Sequence, residues 1–220
     1  MNLHALKRMR LIRTWAFYYR VWMEKCSFSK GKGNIIVKRG VNVSSKIQVK
    51  GCGNSILLDT ETVFLKSVIK INGNNNKVIL HSGAYLSGVE VYIEDNNCIV
   101  EIGCNTYVGH HSHLACTEDG SILKIGNNCM LSSYVQVRTG DSHSILNLDG
   151  KRINPAASVM IGNHCWLGEG SKVMKGVTLG NDSVVSTGAI LTKSFGNNVL
   201  VGGLPAKVLK ENINWDEKRL

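Results

Sequence analysis

One histidine stands where the regular spacing of the sequence stops. His143 lies in the stretch RTGDSHSILNLDG, residues 138–150, and the chain on both sides of it repeats with a fixed period. An imidazole takes up and returns protons near neutral pH, so a histidine in a loop beside a binding groove could act as a general base. Asp141, two residues earlier, is a candidate to orient the ring. The interruption makes His143 the first candidate for chemistry.

A second group of histidines could bind a metal. His110, His111 and His113 fall within the pentapeptide GHHSH, and histidine is a common zinc ligand. Adjacent side chains of a strand point to opposite faces, however, which would separate His110 from His111. We therefore expect no metal in this protein.

The cysteines match neither a disulfide framework nor a zinc site. Seven of them are scattered from Cys26 to Cys165, an odd number without a CxxC pair, so reduced thiols are the simplest interpretation. Cys129 and Cys165 occupy small positions of the repeat described next. We expect both to be buried and unreactive.

A repeat of six residues governs the second half of the chain. It reads IGNHCW, LGEGSK, VMKGVT, LGNDSV, VSTGAI and LTKSFG from position 161 onwards. A helix cannot keep this spacing on one face, because 3.6 residues per turn carry the sixth residue to the opposite side. A short strand and a tight corner can, and three such units make a triangular coil. The aliphatic residues that then point inward are Ile161, Leu167, Val173, Leu179, Val185 and Leu191.

The same rhythm continues upstream with insertions. Aliphatic residues in register are 21, 22, 22 and 23 positions apart, at Val37, Leu58, Leu80, Ile102 and Ile125. Each step is one coil plus a short bulge rich in Asn and Gly, which tolerate a positive φ at corners. The next interval, to Ile161, holds one coil and an excursion that contains His143.

This hexad pattern resembles the left-handed parallel β-helix of the hexapeptide-repeat acyltransferases, over about residues 28–210. The resemblance implies an all-β fold and its left hand, which periodicity alone does not give. It also implies a homotrimer with acetyl-CoA as co-substrate, bound along the groove between neighbouring prisms. Carbonic anhydrases of the γ class share the fold, but their pair of histidines five residues apart is absent from this sequence.

Within this family, the segments DSHSI, RINPAASVMIGNHCWLGEG and STGAILTKS are most similar to those of bacterial capsular polysaccharide and polysialic acid O-acetyltransferases. The likeness implies that His143 is the catalytic base and that Trp166 lines the acetyl-CoA and acceptor site. Glu169 stands where relatives carry a small residue. The cofactor-binding positions that the resemblance implies are Gly168, Glu169, Thr187, Thr192, Lys193, Lys207 and Lys210.

These residue types suit direct transfer of an acetyl group to a sugar hydroxyl. A histidine base can remove the hydroxyl proton, while backbone N–H groups near Gly168 or the Trp166 indole stabilise the oxyanion. We therefore predict an acetyl-CoA-dependent O-acetyltransferase acting on a capsular or other cell-surface polysaccharide or its precursor. The alternatives are a small acceptor, such as a free sugar, serine or an antibiotic, and a non-catalytic β-helix scaffold.

The two ends of the chain carry different signals. The net charge is +10, and basic residues alternate with apolar ones in MNLHALKRMRLIRTWAFYYRVWMEK, which predicts an amphipathic helix over residues 1–27. It would pack on the body, on a neighbouring subunit or at a membrane surface. No motif of a nucleic-acid-binding module is present. The opening lacks the apolar run of a signal peptide, so we expect a cytoplasmic protein, with the inner face of the membrane as an alternative.

The organisation predicted from these patterns has three parts. Residues 1–27 form the basic helix, and residues 28–203 form the β-helix, with its loop at residues 138–158. Pro205 can begin a helix at its first turn, so residues 204–220 are predicted to form a short helix beside the last coil.

Overall fold

The computed structural model describes residues 27–219, which form a parallel β-helix of three sheets. Each coil places one strand on each sheet, and the sheets are called faces A, B and C in chain order. The corners between successive strands are accordingly the AB, BC and CA corners. The predicted N-terminal helix lies outside the described residues apart from Ser27. The left hand of the coil remains a prediction from the family resemblance.

The strands are short and follow one another around the prism. Face A contains β1 Phe28–Lys30, β4 Lys46–Lys50, β7 Val68–Asn72, β10 Glu90–Glu94, β13 His113–Thr117, β16 Gln136–Arg138, β19 Lys172–Val173 and β22 Ile190–Leu191. Face B contains β2 Ile35–Lys38, β5 Ser55–Leu58, β8 Lys77–Leu80, β11 Ile99–Ile102, β14 Ile122–Ile125, β17 Val159–Ile161 and β20 Thr178–Leu179. Face C contains β3 Val41–Val43, β6 Val63–Leu65, β9 Tyr85–Ser87, β12 Tyr107–Val108, β15 Met130–Leu131, β18 Trp166–Leu167, β21 Val184–Val185, β23 Val199–Gly203 and β24 Ala206–Glu211.

The core is the stack of inward aliphatic side chains that the hexads predict. All six predicted from Ile161 to Leu191 are buried, and none is more than 3% exposed. Leu80 pairs with Ile102, and Ile125 pairs with Ile161 across the excursion. Burial of each such side chain contributes about 1.5–3 kcal/mol. The hydrophobic repeat therefore accounts for the column.

One predicted register is wrong at the first coil. Val37 pairs with Leu57, and it is Lys38 that pairs with Leu58. The strand β2 belongs to the first described coil, where packing on one side alone does not force an aliphatic residue inward. Lys38 is accordingly exposed.

The Asn- and Gly-rich bulges form corners as predicted. Asn75 and Asn97 have φ values of 56° and 58°. The preceding residues, Asn74 and Asn96, join successive coils. The Asn96 Oδ1 accepts a hydrogen bond from the Asn74 backbone N–H at 2.9 Å. Gly73 has a φ of 153°, and a Cβ there would lie 1.7 Å from the Asp95 carbonyl oxygen. The corners are therefore stacked too closely for a side chain at this position.

The predicted C-terminal helix is wrong. A turn that contains the cis Leu204–Pro205 peptide reverses the chain, and β24 pairs antiparallel with β23. The free edge of β23 needs hydrogen-bond partners, and a strand supplies them where a helix would not. Residues 204–219 contain no helix, and no helix within residues 27–219 is long and apolar enough to cross a membrane.

A long loop replaces one AB corner, as the interrupted spacing predicts. Residues 139–158 connect β16 to β17, whereas residues 174–177 make the same connection in the following coil. His143 lies in this loop.

Candidate active site

An arginine ties the long loop to the coil that precedes it. Arg152 donates two hydrogen bonds to the Glu118 carboxylate in the neighbouring AB corner, one of them from Nη1 to Oε2 at 2.8 Å. The paired geometry is the strongest form of arginine–carboxylate contact. These hydrogen bonds hold the pKa of Glu118 below its usual range.

A lysine ties the loop to the coil that follows it. The Lys175 Nζ donates to the Asp141 Oδ2 at 2.6 Å and to the Asn154 carbonyl oxygen at 2.9 Å. Asn154 is buried, and its Nδ2 donates to the His143 carbonyl oxygen at 2.9 Å. The hydrogen bond from Lys175, followed by that from Asn154, lowers the pKa of Asp141. The backbone of His143 is therefore fixed from both adjacent coils.

The His143 ring itself is exposed and opens onto a cavity of about 260 Å³. Asp141 does not orient it: no hydrogen bond joins the two side chains within residues 27–219, because the Asp141 carboxylate is engaged by Lys175 and Asn154. Asp141 instead helps to position the loop backbone through Asn154 and Lys175. The cavity lining is polar and consists of Glu94, Asp95, Thr117, Glu118, Asp141, Ser142, His143, Ser144 and Arg152.

Trp166 lies on face C, with its side chain outward and 37% of the residue exposed. Its Nε1 is 3.4 Å from the Ser132 Oγ. A second tryptophan, Trp215, packs against it at 5.9 Å between ring centroids. Trp215 also stacks on His164 at 4.6 Å and donates from Nε1 to the His164 carbonyl oxygen at 2.8 Å. Sequence reasoning assigned Trp215 to a helix and missed this contact, for which its aromatic type was the only signal.

Three predicted residues meet at stacked CA corners. The Gly168 N–H donates to the Val185 carbonyl oxygen at 2.8 Å, and a Cβ on Gly168 would lie 2.6 Å from the Thr187 nitrogen. Thr187 and Glu169 are exposed beside it. The Gly168 N–H is used in stacking the coils, and the Trp166 indole N–H faces the Ser132 hydroxyl at 3.4 Å, so the oxyanion donor stays a prediction.

The remaining predicted residues lie in two other places, an AB corner and the terminal strand of face C. Thr192 and Lys193 follow β22 at the AB corner, and the Lys193 Nζ is 5.8 Å from the Phe195 ring centroid. Lys207 and Lys210 lie on β24, at the outer edge of face C. All four side chains are exposed. One chain therefore does not gather the predicted cofactor-binding residues at a single point.

His143 and Trp166 are also separated within one chain. The loop of His143 leaves the prism at an AB corner, and Trp166 projects from face C. In a three-sided coil, face C is the side opposite the AB corner. The strands and the loop of one chain therefore do not bring these two residues together.

Comparison with known proteins identifies the family. A profile of the bacterial transferase hexapeptide family, with six repeats, matches residues 158–193. A polysialic acid O-acetyltransferase of Neisseria meningitidis is 34% identical over 80% of this chain and 81% of its own length.

The chain belongs to the hexapeptide-repeat acyltransferases.

Two solved structures show how far the likeness of this acyltransferase extends. The crystal structure of the polysialic-acid-specific acetyltransferase NeuO has a TM-score of 0.81, with 28% identity, over 89% of this chain and 90% of that one. The polysialic acid O-acetyltransferase OatWY has a TM-score of 0.83, with 31% identity, over 87% of this chain and 92% of that one. The protein is thus an O-acetyltransferase of the polysialic acid O-acetyltransferase type.

The three neighbouring histidines of this acyltransferase go to different partners. His110 and His111 lie in the turn before β13, so the expected strand alternation does not apply to them. His110 Nε2 is 3.2 Å from the Ser87 Oγ, His111 stacks on Tyr134, and His113 stacks on Tyr92. Within residues 27–219, no three His, Cys, Asp or Glu side chains are grouped as metal ligands.

The two cysteines predicted to be buried are buried. Cys129 is 2% exposed and Cys165 is 0% exposed. The backbone N–H of Cys165 lies 3.4 Å from the Cys129 sulfur. Contact with Cys129 and burial together raise the pKa of the Cys165 thiol. A thiol in this state is a poor nucleophile, which agrees with its prediction as a core residue.

Proposed function

We propose that this protein transfers the acetyl group of acetyl-CoA to a sugar hydroxyl of a bacterial cell-surface polysaccharide, such as a capsule, or of its precursor. Its relatives include enzymes named for O-acetylation of polysialic acid. The observation that carries the proposal is the exposed His143 ring on a loop fixed by Asn154, Lys175 and Arg152 beside a polar cavity.

In the proposed reaction, His143 accepts the proton of the acceptor hydroxyl. At the same time, the hydroxyl oxygen bonds to the thioester carbonyl carbon. The carbon–sulfur bond then breaks, and the imidazolium returns the proton to the CoA sulfur. The products are the acetyl ester and the CoA thiol, so no covalent acyl-enzyme is formed. Direct transfer depends on holding both substrates together, because proximity and oxyanion stabilisation supply most of the rate.

The exposed residues on the prism edges fit a phosphate-bearing co-substrate. Lys193, Lys207 and Lys210 offer positive charges in solvent, which suit phosphate groups as point charges without the paired geometry of arginine. Thr187 and Thr192 offer hydroxyl groups nearby. Acetyl-CoA would supply the activated acetyl thioester, and these residues would hold it between two prisms.

The active site is proposed to lie between subunits of a homotrimer. His143 projects from the corner opposite the face that carries Trp166, so a neighbouring copy must supply the second residue. Each of the three interfaces of a cyclic trimer would then contain His143 from one subunit and Trp166 from the next.

An acceptor screen with labelled acetyl-CoA tests this proposal. Polysialic acid, other capsular polysaccharides, free sugars and serine are offered to the wild type, to His143→Ala and to His81→Ala, a matched control on another corner. We expect transfer to a polysaccharide, and a rate lower by about a hundredfold or more in His143→Ala alone. Full activity of His143→Ala would remove the mechanism, and transfer to small acceptors alone would remove the polysaccharide.

A further inference from the structure

Face C carries an unusual column of outward side chains. Tyr85 pairs in register with Tyr107, Tyr107 with Met130, and Met130 with Trp166, on four consecutive parallel strands. The rings of Tyr85 and Tyr107 are 5.5 Å apart. Tyr85 is 36% exposed, and Tyr107 and Met130 are half-buried. These four residues are called the aromatic column.

The other two faces differ at their outward positions. Face A combines an ion pair between Lys70 and Glu90 at 2.8 Å with one stacked pair, Tyr92 and His113, rather than a continuous row of apolar side chains. On face B, Glu101 pairs with Lys124 at 3.2 Å. The inward core needs no aromatic residue on the outside of face C, and exposed apolar surface in a row is typical of a binding site.

Small polar or glycine residues lie beside the aromatic column. The next outward positions along β9, β12 and β15 are Ser87, Gly109 and Ser132, because side chains alternate along a strand. Ser87 is only 2% exposed and its Oγ lies 3.2 Å from the His110 Nε2, so the partly exposed Ser132 offers the hydroxyl group beside the rings. A pyranose ring has an apolar C–H face and a rim of hydroxyls, so it can stack on an aromatic ring while its rim meets polar groups.

The aromatic column ends at Trp166 in one direction and extends away from Trp166 in the other. Beyond Trp166, the next residue in register is Val184, which is only 8% exposed. In the opposite direction, the column reaches Tyr85 after three strand spacings, or about 14 Å. This length exceeds one sugar ring.

We propose that the aromatic column binds the saccharide chain of the acceptor on the side of Trp166 that faces the N-terminal coils. The proposal rests on the proposed function and specifies its substrate as an extended saccharide rather than a free sugar. Tyr85 and Tyr107 bind units of the chain that do not react, while the reacting unit lies near Trp166.

The double variant Tyr85→Ala/Tyr107→Ala tests this site, with Tyr92→Ala on face A as the matched control. Transfer is measured with long polysialic acid and with the sialic acid dimer at saturating acetyl-CoA. We expect kcat/KM for the polymer to fall by about tenfold, while the dimer and the KM for acetyl-CoA are unaffected. Tyr85→Phe/Tyr107→Phe, which keeps both rings, should retain polymer activity.

Three results would overturn the proposal. They are an equal loss on polymer and dimer, an unchanged polymer rate, and dissociation of the oligomer in light scattering, which would make the column a subunit interface. Calorimetric binding of polysialic acid without acetyl-CoA separates this proposal from the proposed function. Binding that is lost in the alanine double variant but kept in Tyr92→Ala supports the site even if no transfer occurs, and absence of binding by the wild type contradicts it.

Discussion

At the residue scale, the His143 side chain proposed as general base is exposed, while its backbone is held in place by hydrogen bonds. The buried Asn154 fixes its carbonyl oxygen, and the Asn154 carbonyl oxygen is in turn bound by Lys175. Catalysis by a general base requires such a defined position, because small displacements of a reacting group reduce the rate strongly. The ring remains available to a substrate that enters the cavity.

Trp215 supports Trp166 from the C-terminal tail, and its removal tests that support. Trp215→Ala removes the stacking on His164 and the packing against Trp166. We expect KM for the acceptor to rise by about tenfold with a smaller change in kcat. Trp215→Phe keeps the stacking but not the hydrogen bond to the His164 carbonyl oxygen. Its KM for the acceptor should therefore lie between those of the wild type and Trp215→Ala. An unchanged KM in steady-state kinetics would show that Trp166 needs no such support.

The site residues differ in how far the sequence could reveal them. The interrupted repeat and the family resemblance led to His143, the resemblance alone led to Trp166, and both roles stay predictions. Trp215 could not be found in this way, because its contact with His164 joins residues distant in the chain through the path of the tail. The same holds for Asp141, whose partner Lys175 lies in the next coil and was not visible from spacing.

At the element scale, the long loop acts as an arm clamped to two coils. Lys175→Met removes the clamp on Asp141 and on Asn154 but leaves the core intact. We expect activity to fall by about tenfold or more with little change in the melting temperature. Lys172→Met, at the first residue of β19 on face A, is the matched control. If both variants keep full activity, the loop does not depend on this clamp.

The clamps also predict how the loop responds to acid. The pKa values of Glu118 and Asp141 are lowered in the folded protein. Their contribution to stability is therefore complete above the unfolded values of about 4.3 and 3.9 and is lost as the pH falls through the lower folded values. Proteolysis of the loop should stay slow from neutral pH down to about pH 5. Fast cleavage of the wild type within that range would contradict the clamps.

The hexad column gives a stability prediction at the same scale. Leu167 is fully buried and stacks between Leu131 and Val185. Leu167→Ala should lower the free energy of unfolding by about 2–5 kcal/mol. Thr178→Ala, at an outward exposed position, should change it little. Denaturant unfolding of the two variants provides the measurement, and similar losses would argue against the inward column.

The hexads made this part of the fold predictable, because each one repeats an identical burial requirement. The exceptions occur where that requirement ends. Lys38 shifts the register in the first coil, and β24 replaces a predicted helix after the last parallel strand. A coil at either end packs against only one neighbouring coil, so the burial requirement is weaker there. A local signal such as Pro205 does not decide whether the chain then forms a helix or a strand.

At the scale of the whole molecule, the prism distributes one site over distant edges. The corner that carries His143 faces away from Trp166 in the same chain, and the aromatic column continues from Trp166 along face C. A single copy therefore carries the whole aromatic column but only part of the proposed transfer site. Assembly would complete the site and would place the acceptor chain along the neighbouring prism.

Complementation between two inactive variants tests this central claim most directly. His143→Ala and Trp166→Ala chains with different tags are expressed together, and mixed oligomers are purified through both tags. In a mixed trimer of either composition, one of the three interfaces, or about a third, combines an intact His143 with an intact Trp166 from the next copy. The account predicts acetyl transfer at about that fraction of the wild-type rate. The control, His143→Ala mixed with the His143→Ala/Trp166→Ala double variant, should remain inactive. Mixed oligomers with no more activity than this control would contradict a site shared between subunits.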